Sequence, residues 1–425
     1  MKRRAIRFTV AALCFVLAGI GPVCPIPLLQ GGNVAFADEP PRRPFPQHVS
    51  YAAGTLRPSH RTQAQQDDDL RAAYDRWKSN YLTRTKEGHY RVKIGRGANA
   101  PTISEGQGYG MVIVPLMAGH DPEAQTIFDG LWGFFNAHRS PADSRLMAWR
   151  VNLQRPDRGD GNSAFDGDAD IAYGLLLAES QWGGREGNGI NYMEEAKRVL
   201  DGILDRTVGP ASRLPMLGNW FGPDGAPFNQ FTPRPSDFMP AHFRAFGQST
   251  GNPVWGELVA ACQRVVDSFQ KNVSPTTGLL PDFAVVEPSG AVRPAPPGFL
   301  EKEWDGCYNF NAGRVPWRLG TDALLYGDPV SAAQVKKMAD WVLVETAGNP
   351  HGIKPGYTLD GSPIASRNYF STFFAAPFGV AAMVAGQQEW LNAVYDAVRL
   401  QEQGYYADTV TLQCLIVMTG NYWTP

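Results

Sequence analysis

The feature that most constrains the fold of this chain is a succession of helical patterns that arrive largely in pairs. Apolar residues recur at helical spacing in about twelve stretches, with Gly- and Pro-rich connections between them. In the fourth stretch, Ile171, Leu175 and Trp182 share one helix face. Few segments alternate as strands do, which argues against a βαβ architecture. Six helical hairpins predict an all-α (α/α)6 barrel, in which inner helices are ringed by outer ones. The stretches lie near 66–87, 105–118, 121–138, 166–182, 189–206, 237–250, 254–270, 310–326, 329–347, 369–384, 387–401 and 406–420.

Prolines interrupt three of these helical stretches. Pro115, Pro316 and Pro377 each lie inside a predicted helix. Because proline lacks the amide hydrogen and its ring clashes with the preceding turn, each is expected to kink its helix or to open it locally.

The first 37 residues have the composition of a secretory signal peptide. A basic start precedes the apolar run "FTVAALCFVLAGI", which is too short to span a bilayer comfortably, and "AFA" ending at Ala37 supplies a cleavage motif. We therefore expect cleavage near Ala37, secretion, and no membrane attachment of the mature chain. Residues 38–64, rich in Pro and Arg, predict an extended lead-in, and residues 65–425 predict a single catalytic domain. The cysteines beyond the leader are too few for a disulfide framework, although one bridge among them is left open: Cys262, Cys307 and Cys414.

Charge and motif spacing exclude several classes of protein. A formal net charge of −2 provides no electrostatic footprint for nucleic acid. The glycines after Glu105 lack both the Walker lysine and the dinucleotide-binding spacing, so no cofactor is expected. A D-x-D-x-D run opens like an EF-hand at Asp166, but Ile171 and Leu177 stand where that loop needs Gly and Glu. Zinc motifs are absent from the sequence as well, so no metal is expected.

Acidic residues stand at the start of two predicted helices. In "PTISEGQGYGM", Glu105 follows Thr102 at the spacing of a capping box, and in "SAFDGDADIAYGLLLA", Asp166 follows Ser163 at the same spacing. Capping accounts for one acid at each helix start. The second stretch, however, places three acids in five residues, where like charges repel. The glycines that follow Glu105 would let a bulky chain pass close to the backbone.

A third acidic stretch is "PPGFLEKEWDGCYNFNAGRVPWRLGTDALLYGD", residues 296–328. Glu301, Glu303 and Asp305 precede a basic and aromatic run there, and a solvated loop would account for them in isolation. Together, the three stretches supply separated carboxylates in a chain with many aromatic residues and no cofactor motif. That combination suits glycoside hydrolysis, in which a carboxylic acid protonates the leaving oxygen and a carboxylate activates water or attacks the sugar.

At these residues the chain resembles glycoside hydrolase family 8, the inverting (α/α)6-barrel enzymes that cut β-1,4-linked glucans, xylans and chitosan. "SEGQGYGM" resembles the segment with the family's general acid, which implies that role for Glu105. "AFDGDADIAYGLLLAESQW" resembles the family signature and implies that Asp166 holds the sugar in the central subsite. Two positions depart from that signature, because Phe165 replaces the usual Ser or Thr and Gly174 the usual Ser or Ala.

Other segments extend the resemblance from about residue 45 to the end of the chain. "LMAWR" and "PMLGNW" resemble cleft segments, which implies that Trp149 and Trp220 stack on sugar rings. "NAGRVPWR" implies that Asn311 and Arg314 orient the water or the base, and Tyr109 in the acid segment is assigned to substrate binding. The implied partner is a polysaccharide, and we expect a monomer.

The general base is where the chain departs from the commonest pattern of the family. That pattern has an aspartate in "D-A-x-R", but this chain has Asn311 in "NAGR", and an amide cannot act as the base. A subgroup with this Asn takes its base from a glutamate in the preceding insertion, which the third acidic stretch resembles. The resemblance thus implies Glu301 as the base, with Glu303 and Asp305 as competitors.

The resemblance as a whole implies a secreted, inverting endo-glycosidase that hydrolyses internal β-1,4 linkages. The expected substrate is β-1,4-glucan, either cellulose or mixed-linkage glucan, and chitosan is the alternative. The loss of the usual base leaves open a polysaccharide-binding protein without activity. The helical architecture also leaves open a polysaccharide lyase, which would create an unsaturated sugar end absorbing in the ultraviolet.

Overall fold

Twelve α-helices dominate the residues that the computed structural model describes, 40–184 and 189–425. The predicted signal peptide, residues 1–37, lies outside them. Each predicted helical stretch coincides with one observed helix, most boundaries agreeing within a few residues. The helices are α1 (Gln63–Tyr81), α2 (Ser104–Leu116), α3 (Ala124–Ala137), α4 (Phe165–Trp182), α5 (Tyr192–Arg206), α6 (Pro240–Thr250), α7 (Val254–Asn272), α8 (Val315–Tyr326), α9 (Pro329–Glu345), α10 (Thr372–Ala385), α11 (Gln388–Val398) and α12 (Tyr405–Met418).

The even-numbered helices form a closed inner ring, and the odd-numbered helices surround it. Contacts run from α2 to α4, α6, α8, α10 and α12 in turn, and α12 contacts α2 to close the ring. The inner helix α10 is buried along nearly its whole length, as expected of a helix that is apolar on every side. The outer helix α5 instead buries one stripe, which includes Val199 and Ile203. The architecture is therefore the predicted (α/α)6 barrel.

Two of the three prolines singled out in the sequence lie inside helices, and the third lies at the start of one. Pro115 and Pro377 lie inside α2 and α10, as expected. Pro316 does not interrupt a helix, because α8 begins only at Val315, after the short 3-10 helix Ala312–Arg314. In the first turn of a helix the amide hydrogen has no intrahelical partner, so proline is tolerated there. The prediction that Pro316 interrupts a helix is therefore wrong.

Short β-strands lie in the connections between helices. Eight of them form four antiparallel pairs within the described residues. The pair formed by β3 and β6 sets Ile103 opposite Arg150 immediately before α2, which fixes the start of that helix against a neighbouring loop. The pairs are β1 (Leu82–Arg84) with β2 (Tyr90–Val92), β3 (Thr102–Ile103) with β6 (Arg150–Val151), β4 (Arg139–Ser140) with β5 (Asp143–Met147), and β7 (Ala284–Val286) with β8 (Val292–Pro294).

The segment 40–62, which we call the strap, crosses the barrel at the C-terminal ends of the inner helices. It contains neither helix nor strand. Because the last carbonyl groups of a helix have no intrahelical partner, they can accept hydrogen bonds from another segment. The strap supplies such donors and covers this end of the barrel. The bonds are Phe45 N to Ala118 O (2.6 Å), Val49 N to Gly420 O (2.8 Å), Ala52 N to Leu324 O (2.8 Å) and Leu56 N to Met383 O (3.0 Å).

Packing, not cross-linking, holds the described part of the chain together. Cys262, Cys307 and Cys414 are free thiols, so the bridge that the sequence left open is not formed. Among the described helices, none is both long and apolar enough to cross a membrane.

Candidate active site

Charged residues gather at the end of the barrel where the inner helices begin. Glu105 lies in the first turn of α2 and Asp166 in the first turn of α4. Arg314 directly precedes α8, and Arg234 precedes α6 by a few residues. Because alternate helices of consecutive hairpins run in the same direction, their N-terminal ends meet. These ends carry partial positive charge, which favours nearby carboxylates.

A cleft of about 510 Å³ opens at this end of the barrel. Six of the eight residues predicted for the site line it, and the other two, Tyr109 and Arg314, are fully buried behind it. Because Tyr109 has no exposed surface, the structure places it against Arg314 and not against a substrate. The six that line the cleft are Glu105, Trp149, Asp166, Trp220, Glu301 and Asn311.

Arg314 links the acidic side of the cleft to the opposite side. Its Nη1 donates to Asp166 Oδ2 at 2.8 Å, to Glu105 Oε2 at 3.0 Å and to Tyr109 Oη at 3.3 Å. Its Nη2 donates to Asn311 Oδ1 at 3.2 Å. Arg314 therefore holds the two acids directly and orients the Asn311 amide.

Glu105 and Asp166 share this guanidinium but differ in protonation. Burial raises the pKa of Glu105 to about 8, with Arg314 opposing the shift and the charge of Asp166 adding to it. Burial also acts to raise the pKa of Asp166, but the charges of Arg314 and Arg234 outweigh it and lower that pKa. Among the described residues, Glu105 Oε1 has no hydrogen-bond partner. Glu105 is thus a protonated acid with an uncommitted oxygen beside an ionised Asp166.

Asn311 connects Glu301 to a buried carboxylate on the other side of the cleft. Its Nδ2 donates to Glu301 Oε2 at 3.2 Å and lies 3.5 Å from Asp282 Oδ2. Asp282 Oδ1 accepts from the backbone amides of Asn309, Asn311 and Ala312 at 2.7–3.2 Å. The turn before α8 is therefore anchored on Asp282, and Asn311 orients Glu301.

The structure separates Glu301 from the two acids that competed with it. Asp305 is buried and accepts from the backbone amides of Leu300, Glu301 and Lys302 at 2.7–2.9 Å. Its carboxylate thus holds the loop together. Glu303 is exposed and does not line the cleft. Of the three, only Glu301 lines the cleft.

Two tryptophans form aromatic walls of the cleft. Trp149 is held by its backbone, because its carbonyl accepts from Ser104 N at 2.8 Å and its amide donates to Asn162 O at 2.6 Å. Trp220 is 39% exposed and packs edge-on against Phe221 and Phe228, with ring centroids 4.6 and 4.8 Å away. The backbone of Trp149 and the ring of Trp220 are thus held in place, and both side chains line the cleft, as stacking on a sugar requires.

Neither Glu105 nor Asp166 belongs to the capping box that the spacing in the sequence allows. Thr102 lies in β3, and its hydroxyl donates to Val92 O at 2.8 Å instead of capping α2. The residues at the two N-caps are Ile103 and Ala164, neither of which has a side-chain cap. Both acids are consequently free to take part in the site.

The glycines after Glu105 serve helix packing, not the passage of a substrate. A Cβ on Gly106 would lie 2.5 Å from Tyr405 Oη, and one on Gly108 would lie 2.8 Å from Gly167 O. A Cβ on Gly110 would lie 2.7 Å from Val92 Cγ2. These contacts are with neighbouring elements, so the expectation that the glycines make room for a polysaccharide is wrong.

Three acids fit into five residues of α4 because each has its own partner. Only Asp166 belongs to the cleft. Asp168 and Asp170 are fully buried and hold other elements against α4. The partners are Arg314 for Asp166 (2.8 Å), Met147 N for Asp168 (2.9 Å), and Arg318 and His242 for Asp170 (2.7 and 2.9 Å).

Sequence reasoning missed Arg234, Asp237 and Asp282. Arg234 lines the cleft, whereas Asp237 and Asp282 are buried behind it. Arg234 could have been found from its place in the sequence, because it lies shortly before an inner helix, α6, and Arg314 lies before another, α8. In the described part of the chain, no group of three or more His, Cys, Asp or Glu side chains is arranged to hold a metal ion.

Comparison with known proteins shows the family to which this (α/α)6 barrel belongs. The sequence model described as "Glycosyl hydrolases family 8" matches residues 45–420, so this chain belongs to that family and is a glycoside hydrolase. A beta-glucanase of Niallia circulans is 41% identical over 394 residues, which cover 92% of this chain and 93% of the relative. An endoglucanase of Bacillus sp. (strain KSM-330) is 38% identical, with 90% and 82% covered. The solved apo structure of a beta-1,3-1,4-glucanase from Paenibacillus sp. X4 superposes with a TM-score of 0.86 at 41% identity, covering 91% of this chain and all of that one.

Proposed function

We propose that this glycoside hydrolase is a secreted, inverting endo-β-glucanase that cuts internal β-1,4 bonds of cellulose-type or mixed-linkage glucans. The observation that carries the proposal is the pairing of a protonated Glu105 with Glu301 in one cleft. The names of the relatives, beta-glucanase and endoglucanase, support the substrate. The leader in residues 1–37 motivates secretion.

Glu105 is the general acid of the proposed reaction. It donates its proton to the glycosidic oxygen as the bond between that oxygen and the anomeric carbon breaks. Arg314 holds Glu105 through Oε2 at 3.0 Å, and the Glu105 side chain is 13% exposed where it lines the cleft. Asp166, ionised beside it, binds the central sugar by hydrogen bonds.

Glu301 is the general base of the proposed reaction. It takes a proton from a water molecule, whose oxygen attacks the anomeric carbon on the face opposite the leaving group. Asn311 keeps Glu301 in position through the 3.2 Å bond to Oε2. The bond between Asn311 and Glu301 supports the proposal that the chain belongs to the subgroup in which Asn replaces the usual aspartate base. Trp149 and Trp220 stack on sugars to either side of the cleaved bond.

Reducing-end release from mixed-linkage β-glucan, carboxymethyl-cellulose and chitosan tests this function. Wild type is compared with Glu105→Gln, Glu301→Gln and the matched control Glu303→Gln, which changes an exposed acid of the same loop. We expect each of the first two variants to lose about 10²–10⁴-fold in kcat on β-glucan. The control should keep wild-type activity.

Three outcomes would reject parts of the proposal. A folded Glu301→Gln variant with full activity would place the base elsewhere. A β-anomeric first product, followed by NMR, would exclude inversion, because an inverting enzyme releases the α-anomer from a β-linkage. Recovery of the expressed protein from the culture medium with an N-terminus other than one near Asp38 would reject the cleavage site.

A further inference from the structure

The guanidinium of Arg234 is a cation in the cleft that lacks a close hydrogen-bond partner. Its Nη1 lies 3.6 Å from Asp166 Oδ2 and 3.8 Å from Asp237 Oδ2, and its Nη2 lies 3.6 Å from Glu301 Oε1. All three distances exceed ordinary N–H···O hydrogen bonds. Among the described residues, Arg234 Nε has no hydrogen-bond partner either. Nε is buried, so the two Nη groups are the donors of Arg234 that a molecule in the cleft can use.

Packing holds this guanidinium in place without using its donors. It lies over the ring of Phe283, 5.3 Å from the ring centroid, and its side chain is 12% exposed. Arg234 is also the one cation among the described residues that line the cleft. It stands between Asp166 on one side and Glu301 on the other, where a sugar undergoing cleavage would lie.

We propose that Arg234 contacts the substrate and determines specificity, by donating hydrogen bonds to neutral sugar hydroxyls and by repelling the ammonium group of glucosamine. The inference rests on the proposed function and sharpens it, because it selects neutral β-glucan over chitosan. A guanidinium offers several donors in one plane, which suits adjacent hydroxyl oxygens. An ammonium group has no acceptor to offer and carries like charge.

The charges behind the cleft do not reverse this preference. Around Arg234, the two arginines Arg234 and Arg314 match the carboxylates of Asp166 and Glu301 in number. Asp160 also lines the cleft, and its Oδ1 accepts from the backbone and side-chain amides of Asn162 at 2.9 Å. Burial raises the pKa of Asp237 to about 7, and it does the same for Asp282, so both carry a proton in mildly acidic solution. Chitosan is soluble and cationic in that range, where Asp166 and Glu301, the two cleft carboxylates beside Arg234, each lie within 3.6 Å of its guanidinium.

Specificity constants on mixed-linkage β-glucan and on chitosan test this role. The variants are Arg234→Gln, which keeps amide donors but loses the charge, and Arg234→Lys, which keeps the charge but loses the planar fork. Arg213→Gln, which breaks a surface ion pair with Glu257, is the control and should match wild type. We expect Arg234→Gln to lower the glucan-to-chitosan ratio of kcat/KM at least tenfold. Arg234→Lys should lose glucan activity while keeping the ratio within threefold.

A ratio for Arg234→Gln within threefold of wild type would overturn the inference. A second measurement uses wild type alone, so it tests the inference even if Arg234→Gln does not fold. In that measurement, chito-oligosaccharides compete with β-glucan hydrolysis by wild type at low salt, beside cello-oligosaccharides of the same length. We expect at least tenfold weaker inhibition by the chito-oligosaccharides, and equal inhibition would overturn the inference. Failure of the proposed function looks different, because wild type would then cut no β-glucan at all.

Discussion

At the scale of single residues, the chemistry of the site depends on one arginine shared by two acids. Arg314 is fully buried and contacts Glu105 and Asp166 together. The shorter contact, 2.8 Å against 3.0 Å, is with Asp166, which also has Arg234 nearby. One acid can then stay ionised while burial keeps the proton on the other. In the proposed reaction, the same environment thus provides a hydrogen-bond acceptor for the sugar, Asp166, and a proton donor for the leaving group, Glu105.

The pH dependence of kcat/KM on β-glucan checks this division. Glu105 acts only when protonated, so activity should fall as pH rises through its pKa of about 8. Because the charge of Asp166 raises that pKa, Asp166→Asn should move the alkaline limb of its residual activity to lower pH. A wild-type limb near pH 5, where an ordinary glutamate loses its proton, would contradict the assignment.

At the scale of helices, the acids meet because α2 and α4 approach closely. The contact is made through glycines, since a Cβ on Gly174 would lie 2.6 Å from Met111 O and one on Gly167 would lie 2.3 Å from Ser104 Oγ. These distances explain one departure from the family signature. A Ser or Ala at Gly174 would not fit against α2 in this barrel.

Alanine substitution at Gly108 tests the role of this contact. The new Cβ would lie 2.8 Å from Gly167 O and from Asp170 Cβ, so the helices must separate. We expect Gly108→Ala to lower the free energy of unfolding by about 1–3 kcal/mol and to reduce activity, because Glu105 and Asp166 move apart. Gly256→Ala is the control, since this exposed glycine of α7 has no atom within 4 Å of the added Cβ. It should be neutral or stabilise by up to about 1 kcal/mol. Equal effects of the two variants would refute the packing argument.

At the scale of the whole molecule, the two ends of the barrel have different functions. The N-terminal ends of the inner helices carry the cleft, whereas the strap, residues 40–62, covers their C-terminal ends. The strap adds hydrogen bonds to carbonyl groups that would otherwise need water. The strap is therefore expected to stabilise the barrel at the end opposite the cleft.

Removal of the strap tests this expectation. A chain that begins at residue 60 keeps the last three residues of the strap, because Thr62 caps α1. It should unfold at a temperature lower by on the order of 10 °C than one that begins at residue 38, because it loses several hydrogen bonds and the burial that accompanies them. At 25 °C, where both chains are folded, KM for β-glucan should be unchanged. Equal midpoints in thermal unfolding followed by circular dichroism would show that the strap contributes nothing.

The sequence by itself determined the local elements and most of the candidate chemistry. Helical periodicity located the twelve helices of the described residues and the pairing that makes a barrel. Acid-bearing motifs located Glu105, Asp166 and Glu301, because motifs of this kind are contiguous in sequence. What they could not show was which side of an element faces the cleft. Tyr109 lies in the same motif as Glu105 but is buried behind it.

Only the tertiary structure decided how distant residues combine. The bond between Arg314 and Glu105 joins positions 209 residues apart and exists because α8 and α2 belong to one closed ring. Asp305 competed with Glu301 as the predicted general base, but its carboxylate accepts hydrogen bonds from three backbone amides, and only Glu301 of the two lines the cleft. Arg234 belongs to none of the sequence motifs, and it lines the cleft because it lies shortly before α6, at the end of the barrel where the inner helices begin. Periodicity is a property of neighbours along the chain, whereas the environment of a charge depends on burial and on partners that only ring closure brings together.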